Sequence, residues 1–219
     1  MLVSHRKRFI FTKTVKTAGT SVESYFEKYC MPDGEWQESH SRKEYVSETG
    51  IIGCRGANAK ESTWYNHMSA ADIRERVGRE VWDNYYKFTV IRNPFEKLIS
   101  GFSMFEHDKL LDRIEGETPV ERFRNWVQNG GSIRDRNKYL IDREECVDYF
   151  IRFEDLHGGI KHVCDHLSIP FEPSRVPEFK KGIRDDTLGV REYYDNETER
   201  LVRKRYAWEF EKFGYELTE

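Results

Sequence analysis

The stretch FTKTVKTAGTSVESYF, residues 11–26, decides how the rest of the chain reads. An apolar, β-prone run over residues 8–14 leads into Lys16-Thr17-Ala18-Gly19-Thr20-Ser21. From Ser21 to Lys28, Val22, Tyr25 and Phe26 then recur on one face of a helix. A strand, a tight loop and a helix start aim several backbone N–H groups at one point, where the helix dipole also favours negative charge. Thr17, Thr20 and Ser21 add hydroxyl donors, Gly19 lets the backbone come close, and Lys16 puts a full positive charge at the rim. The loop reads as an anion cradle. It is not the G-x-x-x-x-G-K-[ST] loop of nucleoside triphosphatases, because the lysine precedes the glycine. The plainer reading of the same residues is an ordinary strand-to-helix turn with a surface lysine.

Working outward, SAADIRERVG (69–78) is a short helix, with Ser69 as N-cap, Asp72 at the capping-box position and Gly78 at the stop. YKFTVI (86–91) is a continuous strand of buried type, and Pro94 opens a helix carrying Leu98, Ile99, Phe102 and Phe105. Thr118 and Glu121 form a second capping box around Pro119. DYFIRFEDL (148–156) predicts a strand, and HGGIKHVCDHLSIP a helix closed by Pro170. A last helix from Asn196 carries Val202, Tyr206, Phe210 and Phe213 and stops at Gly214. Residues 31–62 read as a polar insertion outside the core, and 131–146 as a mobile loop or exposed turn. Strands alternating with helices imply an α/β fold: a P-loop-containing parallel sheet flanked by helices on both faces. No repeat or linker divides the 219 residues, so a single domain over 1–219 is expected.

Composition narrows the function. The formal net charge of −3 argues against a general nucleic-acid binder, so an anionic ligand must be held by locally placed cations and amides. No apolar run approaches the roughly 20 residues that span a bilayer, and the opening MLVSHRKRFIFTK is too short in apolar residues for a signal peptide. Cys30, Cys54, Cys146 and Cys164 are scattered without CxxC spacing and read as reduced thiols of a cytoplasmic protein. Cys164-Asp165-His166 would point three ways from a helix, so no metal is expected.

A second chemical element lies in FTVIRNPFEKLISGF (88–102). Arg92 leaves the end of the buried strand, where open α/β sheets bind their ligands, and Ser100 follows eight residues later in the helix. A guanidinium fork and a hydroxyl so placed suit one phosphate; the alternative is that Arg92 pairs with a surface carboxylate and Ser100 packs. Together the two elements resemble the sulfotransferases that use 3′-phosphoadenosine 5′-phosphosulfate (PAPS), in particular the carbohydrate and uronyl branch. In that family a K-x-x-G/S-T-S loop binds the 5′-phosphosulfate and R-[ND]-P-x₅-S binds the 3′-phosphate. RFEDL (152–156) and the ending REYYDNETERLVRKRYAWEFEKFGY extend the likeness along most of the chain. The resemblance implies donor contacts at Lys16, Thr17, Ala18, Gly19, Thr20, Ser21, Arg92 and Ser100. It also implies Lys16 as a catalytic residue and 3′,5′-adenosine bisphosphate as the product.

WYNHMSAADI (64–73) adds His67, just ahead of a helix start. The likeness reaches the HVS-like segment of uronyl sulfotransferases, whose histidine acts as base. A helix N-terminus disfavours imidazolium, leaving a neutral ring to accept a hydroxyl proton. A capping or surface histidine is the bland alternative, and His40 in the insertion is the next candidate. Trp64 and Tyr65 suit stacking on an acceptor or adenine ring and equally suit ordinary packing. The absence of a disulfide framework and membrane anchor favours a small-molecule or sugar acceptor over a Golgi polysaccharide, with acceptor contacts sought in 31–62 and 131–146. The acceptor's identity and the oligomeric state are not encoded in any motif. Two other readings stay open: a P-loop kinase or nucleotide hydrolase, against which Arg92 stands where a magnesium-binding Asp is expected, and a non-catalytic nucleotide-binding protein on the same fold.

Overall fold

β1 (Leu2–Ser4) and β2 (Phe9–Phe11) pair antiparallel across a short turn in which Arg8 takes a positive φ of 53°. This is seen in a computed structural model that describes residues 1–111, 114–177 and 188–218. The chain divides into two units, Met1–Ile91 with Asp135–Phe179, and Arg92–Arg134 with Lys180–Glu219.

The first unit is built on a six-stranded sheet. To β1 and β2 it adds β3 (Tyr45–Ser47), β4 (Gly50–Ile52), β5 (Tyr86–Ile91) and β8 (Tyr149–Arg152), in the order β3-β4-β1-β2-β5-β8. Only β2–β5 and β5–β8 are parallel; β1–β2, β1–β4 and β3–β4 are antiparallel. The expected all-parallel sheet is therefore corrected to a mixed one. The reason is connection length: a few residues join antiparallel neighbours, whereas parallel strands need a crossover of a dozen or more. Segment 31–62, expected outside the core, supplies β3 and β4, with Ile51 and Ile52 buried on opposite faces of the sheet. Strands of three residues are too short to show a period.

Helices cover both faces of this sheet. Phe9, Phe11, Phe88, Val90 and Ile151 pack with α1 (Gly19–Glu27) and α6 (Leu156–His166). Val3, Ile10 and Ile51 pack with α2 (Ala70–Val77) and α3 (Arg79–Asn84), the latter unforeseen in the sequence. Phe26 joins the layers, its ring centroid 5.7 Å from Phe9 and 5.1 Å from Phe88. Of the two readings of the charge-dense stretch, loop or exposed helical turn, the structure shows a helical turn, partly buried, followed by a hairpin. A 3-10 turn (Arg136–Lys138) leads into a hairpin of β6 (Leu140–Ile141) and β7 (Glu144–Glu145). Asp142 and Arg143 supply its two positive φ angles, and Tyr139 is fully buried against Phe150.

The second unit is helical among its described residues: α4 (Pro94–His107), α5 (Pro119–Gln128), α7 (Asn196–Arg205) and α8 (Ala207–Phe213). Asn93 accepts from the Phe95 N–H, Thr118 and Glu121 close the capping box, and Asp195 caps α7 with Thr198. Phe102, Phe123 and Trp126 pack ring to ring, as do Phe95 and Phe210. The single closing helix expected from Asn196 is instead broken at Tyr206. Its hydroxyl accepts from the Ile133 N–H and donates to the Ile133 carbonyl, pinning the chain there. No described helix is long and apolar enough to cross a membrane.

Gly50 faces Ser4 in the β1–β4 ladder, and a Cβ there would lie 2.3 Å from the Val3 carbonyl oxygen and 2.9 Å from the Cys30 Cα. Gly50→Ala is expected to destabilise the protein by about 1–3 kcal/mol, the usual penalty of overpacking. Urea unfolding checks this; an unchanged midpoint would mean that 45–52 is not held in the sheet.

Candidate active site

The loop after β2 is stitched to β5 before it turns. The Thr12 N–H donates to the Phe88 carbonyl (3.0 Å), the Thr89 hydroxyl to the Thr12 carbonyl (2.7 Å), and the Thr14 hydroxyl to the Val90 carbonyl (2.5 Å). Because the Thr14 proton is committed to Val90, the Thr17 hydroxyl donates to Thr14 Oγ1, 2.7 Å away. Thr17 is fully buried, so its hydroxyl is part of the scaffold. Lys16 and Ala18 both take left-handed backbone, φ 61° and 57°. Such non-glycine positions cost on the order of 1 kcal/mol or more each and persist only where their surroundings enforce them.

What the loop offers is backbone. The Ser21 and Val22 N–H groups turn back to the Ala18 carbonyl. Those of Thr17, Ala18, Gly19 and Thr20 donate no hydrogen bond among the described residues. This is the arrangement of donors that suits an anion at a helix start. Gly19 is closely packed: a Cβ would sit 3.0 Å from Lys13 Cγ and 3.3 Å from the Thr14 carbonyl oxygen.

Beneath the loop lies a cluster of buried charges that the sequence did not reveal. Lys13, 2% exposed, pairs with Glu23 at 2.6 Å. Arg55 bridges Glu23 (3.1 Å) and Glu27, and Arg42 reaches Glu27 at 3.0 Å. Burial alone would raise the Glu23 carboxyl, but Lys13 and the other cations around it hold it well below the ordinary range. Glu23 and Glu27 stand on what reads as the polar side of α1; the helix is in fact buried nearly all round.

His67 belongs to the same neighbourhood. Its Nδ1 lies 3.1 Å from the Lys13 carbonyl oxygen, which can only accept, so Nδ1 carries the proton and Nε2 the lone pair. Its pKa is pushed down to about 3, first by burial and then by the Lys13 ammonium. The neutral ring expected from the helix start is present, but burial and Lys13 cause it. Its backbone is left-handed too, φ 58°. Trp64 packs in the core beside Met68 and Ile73, while Tyr65 is half-buried.

Arg92 and Ser100 lie in the second unit. Asn93 caps α4 and ties its amide to the Glu216 carbonyl at 2.7 Å, and Pro94 takes the first helical position. Arg92 Nη2 donates to Glu96 Oε2 at 2.8 Å. Glu96 and Ser100 are four residues apart on α4, so they share a face, and Arg92, just ahead of the helix, is held to that face by Glu96. A carboxylate thus stands in the middle of the expected phosphate contacts. Sequence reasoning offered a carboxylate only as the competing explanation for Arg92. The structure ties His67 to Lys13, just ahead of the Lys16–Ser21 loop, within the first unit, and in the second places Arg92 before α4 and Ser100 inside it. A cleft of about 860 Å³ walled by Phe105, Asn125, Trp126 and Arg134 contains none of these residues.

A model of the sulfotransferase family matches residues 1–216, and the chain belongs to that family, whose members are PAPS-dependent sulfotransferases. Over 105 residues, 48% of this chain and 86% of the relative, it is 26% identical to an uncharacterized protein of Archaeoglobus fulgidus. No solved structure matches it. Membership supports sulfotransfer activity in general.

The depressed His67 pKa has a measurable consequence. Between the ordinary value of 6.5 and about 3, the unfolded chain binds a proton at this position that the folded protein does not. Stability must therefore fall as the pH is lowered through that window, and His67→Gln should flatten the slope. In the folded wild type, the His67 ring resonance should stay at its neutral shift down to pH 5; an NMR titration with a midpoint near 6.5 would contradict the burial of the ring.

Proposed function

We propose that this protein is a cytoplasmic sulfotransferase that takes PAPS as donor and passes its sulfonyl group to a hydroxyl, or an amine, of a small metabolite or sugar. The observation that carries this reading is the pairing, in one unit, of a left-handed lysine loop with unspent N–H groups and a neutral histidine hung from the Lys13 carbonyl. In this scheme the N–H groups of Thr17 to Thr20, with Ser21, hold the 5′-phosphosulfate. Arg92 and Ser100 bind the 3′-phosphate, which takes over the guanidinium contact now made by Glu96. The acceptor oxygen attacks sulfur in line as the bond from sulfur to the bridging oxygen of the 5′-phosphate breaks. The electron pair stays on that bridging oxygen, where Lys16 stabilises it. His67 Nε2 takes the acceptor's proton. The product is 3′,5′-adenosine bisphosphate. Nucleic acid and membrane have no part in the scheme.

Donor choice is the direct test. Adenosine 3′,5′-bisphosphate should raise the melting temperature while AMP does little, a stabilisation of about 2.7 kcal/mol at a hundredfold excess over Kd. Arg92→Ala should abolish that difference, and equal stabilisation by AMP would overturn the assignment of the 3′-phosphate contacts.

Chemistry is tested separately, with PAPS and a panel of hydroxyl and amine acceptors read by mass gain. Lys16→Ala should cut kcat by about 10²–10³, the loss seen when one charge-stabilising donor is removed, with bisphosphate binding much less affected. Near-normal turnover in that variant would leave Lys16 without a catalytic role.

A further inference from the structure

One buried acid beside the donor loop has no part in that scheme. Asp135 is 1% exposed, and its Oδ2 accepts the Val15 N–H at 2.9 Å. Val15 is the residue at which the loop commits to its turn. Thr14, before it, is fastened to β5 through Val90, and Lys16, after it, is already left-handed. The carboxylate is itself held in place. Asp135 heads the 3-10 turn at Arg136–Lys138, accepting the Lys138 N–H at 2.9 Å on its carbonyl, and Tyr139 just beyond is buried against Phe150 of β8. A rigid, separately anchored acceptor thus meets the last loop N–H before the strained residues.

An acceptor oxygen fixed at the Val15 N–H is placed to hold the backbone in a conformation it would otherwise leave. We propose that Asp135 is the positioning residue of the donor loop. By fixing the Val15 N–H it enforces the left-handed turn at Lys16, and so aims the ammonium and the N–H groups that follow at the phosphosulfate. The proposal rests on the donor assignment above. It concerns geometry rather than charge, so an asparagine, which keeps an acceptor oxygen in the same place, should serve nearly as well.

The test compares wild type, Asp135→Asn and Asp135→Ala. Adenosine 3′,5′-bisphosphate binding is followed by calorimetry and amide hydrogen exchange over residues 14–20 by mass spectrometry. In Asp135→Ala the bisphosphate affinity should fall about tenfold, the scale of one lost hydrogen bond, and exchange over 14–20 should quicken while β5 stays protected. Asp135→Asn should bind within about threefold of wild type and keep its protection. Wild-type affinity in the alanine variant, or an asparagine variant as weak as the alanine one, would overturn the proposal. If Asp135→Ala does not fold, Asp135→Asn decides alone: retained affinity and protection support the role, and a tenfold loss defeats it. If the wild type itself fails to bind the bisphosphate, the donor assignment falls. The exchange data then still judge the loop: faster exchange in Asp135→Ala with protection kept in Asp135→Asn supports the positioning role, and unchanged exchange in both removes it.

Discussion

Lys13, Glu23, Glu27 and Arg55, charges closed off from water, hold the Lys16–Ser21 loop in its place. Each would be costly to bury alone, and removing one partner from such a set typically costs about 3–5 kcal/mol because the others are left uncompensated. They are drawn from three stretches of chain: the end of β2, helix α1 and the segment that carries β3 and β4. Their mutual satisfaction therefore fixes how those stretches meet. Lys13 then acts three times over. Its ammonium neutralises Glu23, its stem packs closely against Gly19, and its carbonyl orients the His67 ring. The same ammonium, with burial, keeps that ring neutral. One buried pair thus links the stability of the loop to the protonation state of the candidate base.

Around this cluster the loop separates two kinds of hydrogen-bonding group. Side-chain hydroxyls of Thr14, Thr17 and Thr89 are spent on the scaffold, tying β2 and its loop to β5. Main-chain N–H groups from Thr17 to Thr20 donate no hydrogen bond among the described residues. Dipoles fixed in advance stabilise developing charge without reorganising as it appears, which is what transfer of a charged group requires. Left-handed backbone at Lys16 and Ala18 is the strain that accompanies this arrangement, and the bonds from Thr14 and Val15 are what oppose its release.

The second unit treats its anion contacts differently. Arg92 donates to Glu96 within the same helix start, so any anion bound there would compete with a carboxylate for the guanidinium. Asn93 meanwhile fixes the start of α4 and ties it to the chain end at Glu216, so the arginine stands on a rigid base.

Local signals carried much of this in the sequence. The Lys16–Ser21 loop, the Arg92–Ser100 spacing, the caps at Ser69 and Thr118, and the strand at 86–91 depend on neighbours within a few residues, and local chemistry dictates them. The short strands β1, β3 and β4 escaped because three residues show no period, and with them went the mixed character of the sheet. Asp135 looked like one charge among many in a polar stretch, and Glu23 and Glu27 like the wet side of a helix. What the sequence by itself determined is the strand–loop–helix at residues 9–27, the strand at 86–91, the main helices and the family. What only the tertiary structure decided is which charges are buried, which acid holds the loop and what keeps His67 neutral. Those depend on desolvation and on partners 10 to 120 residues away, such as Lys13 with Glu23 and Val15 with Asp135, and no local pattern records them.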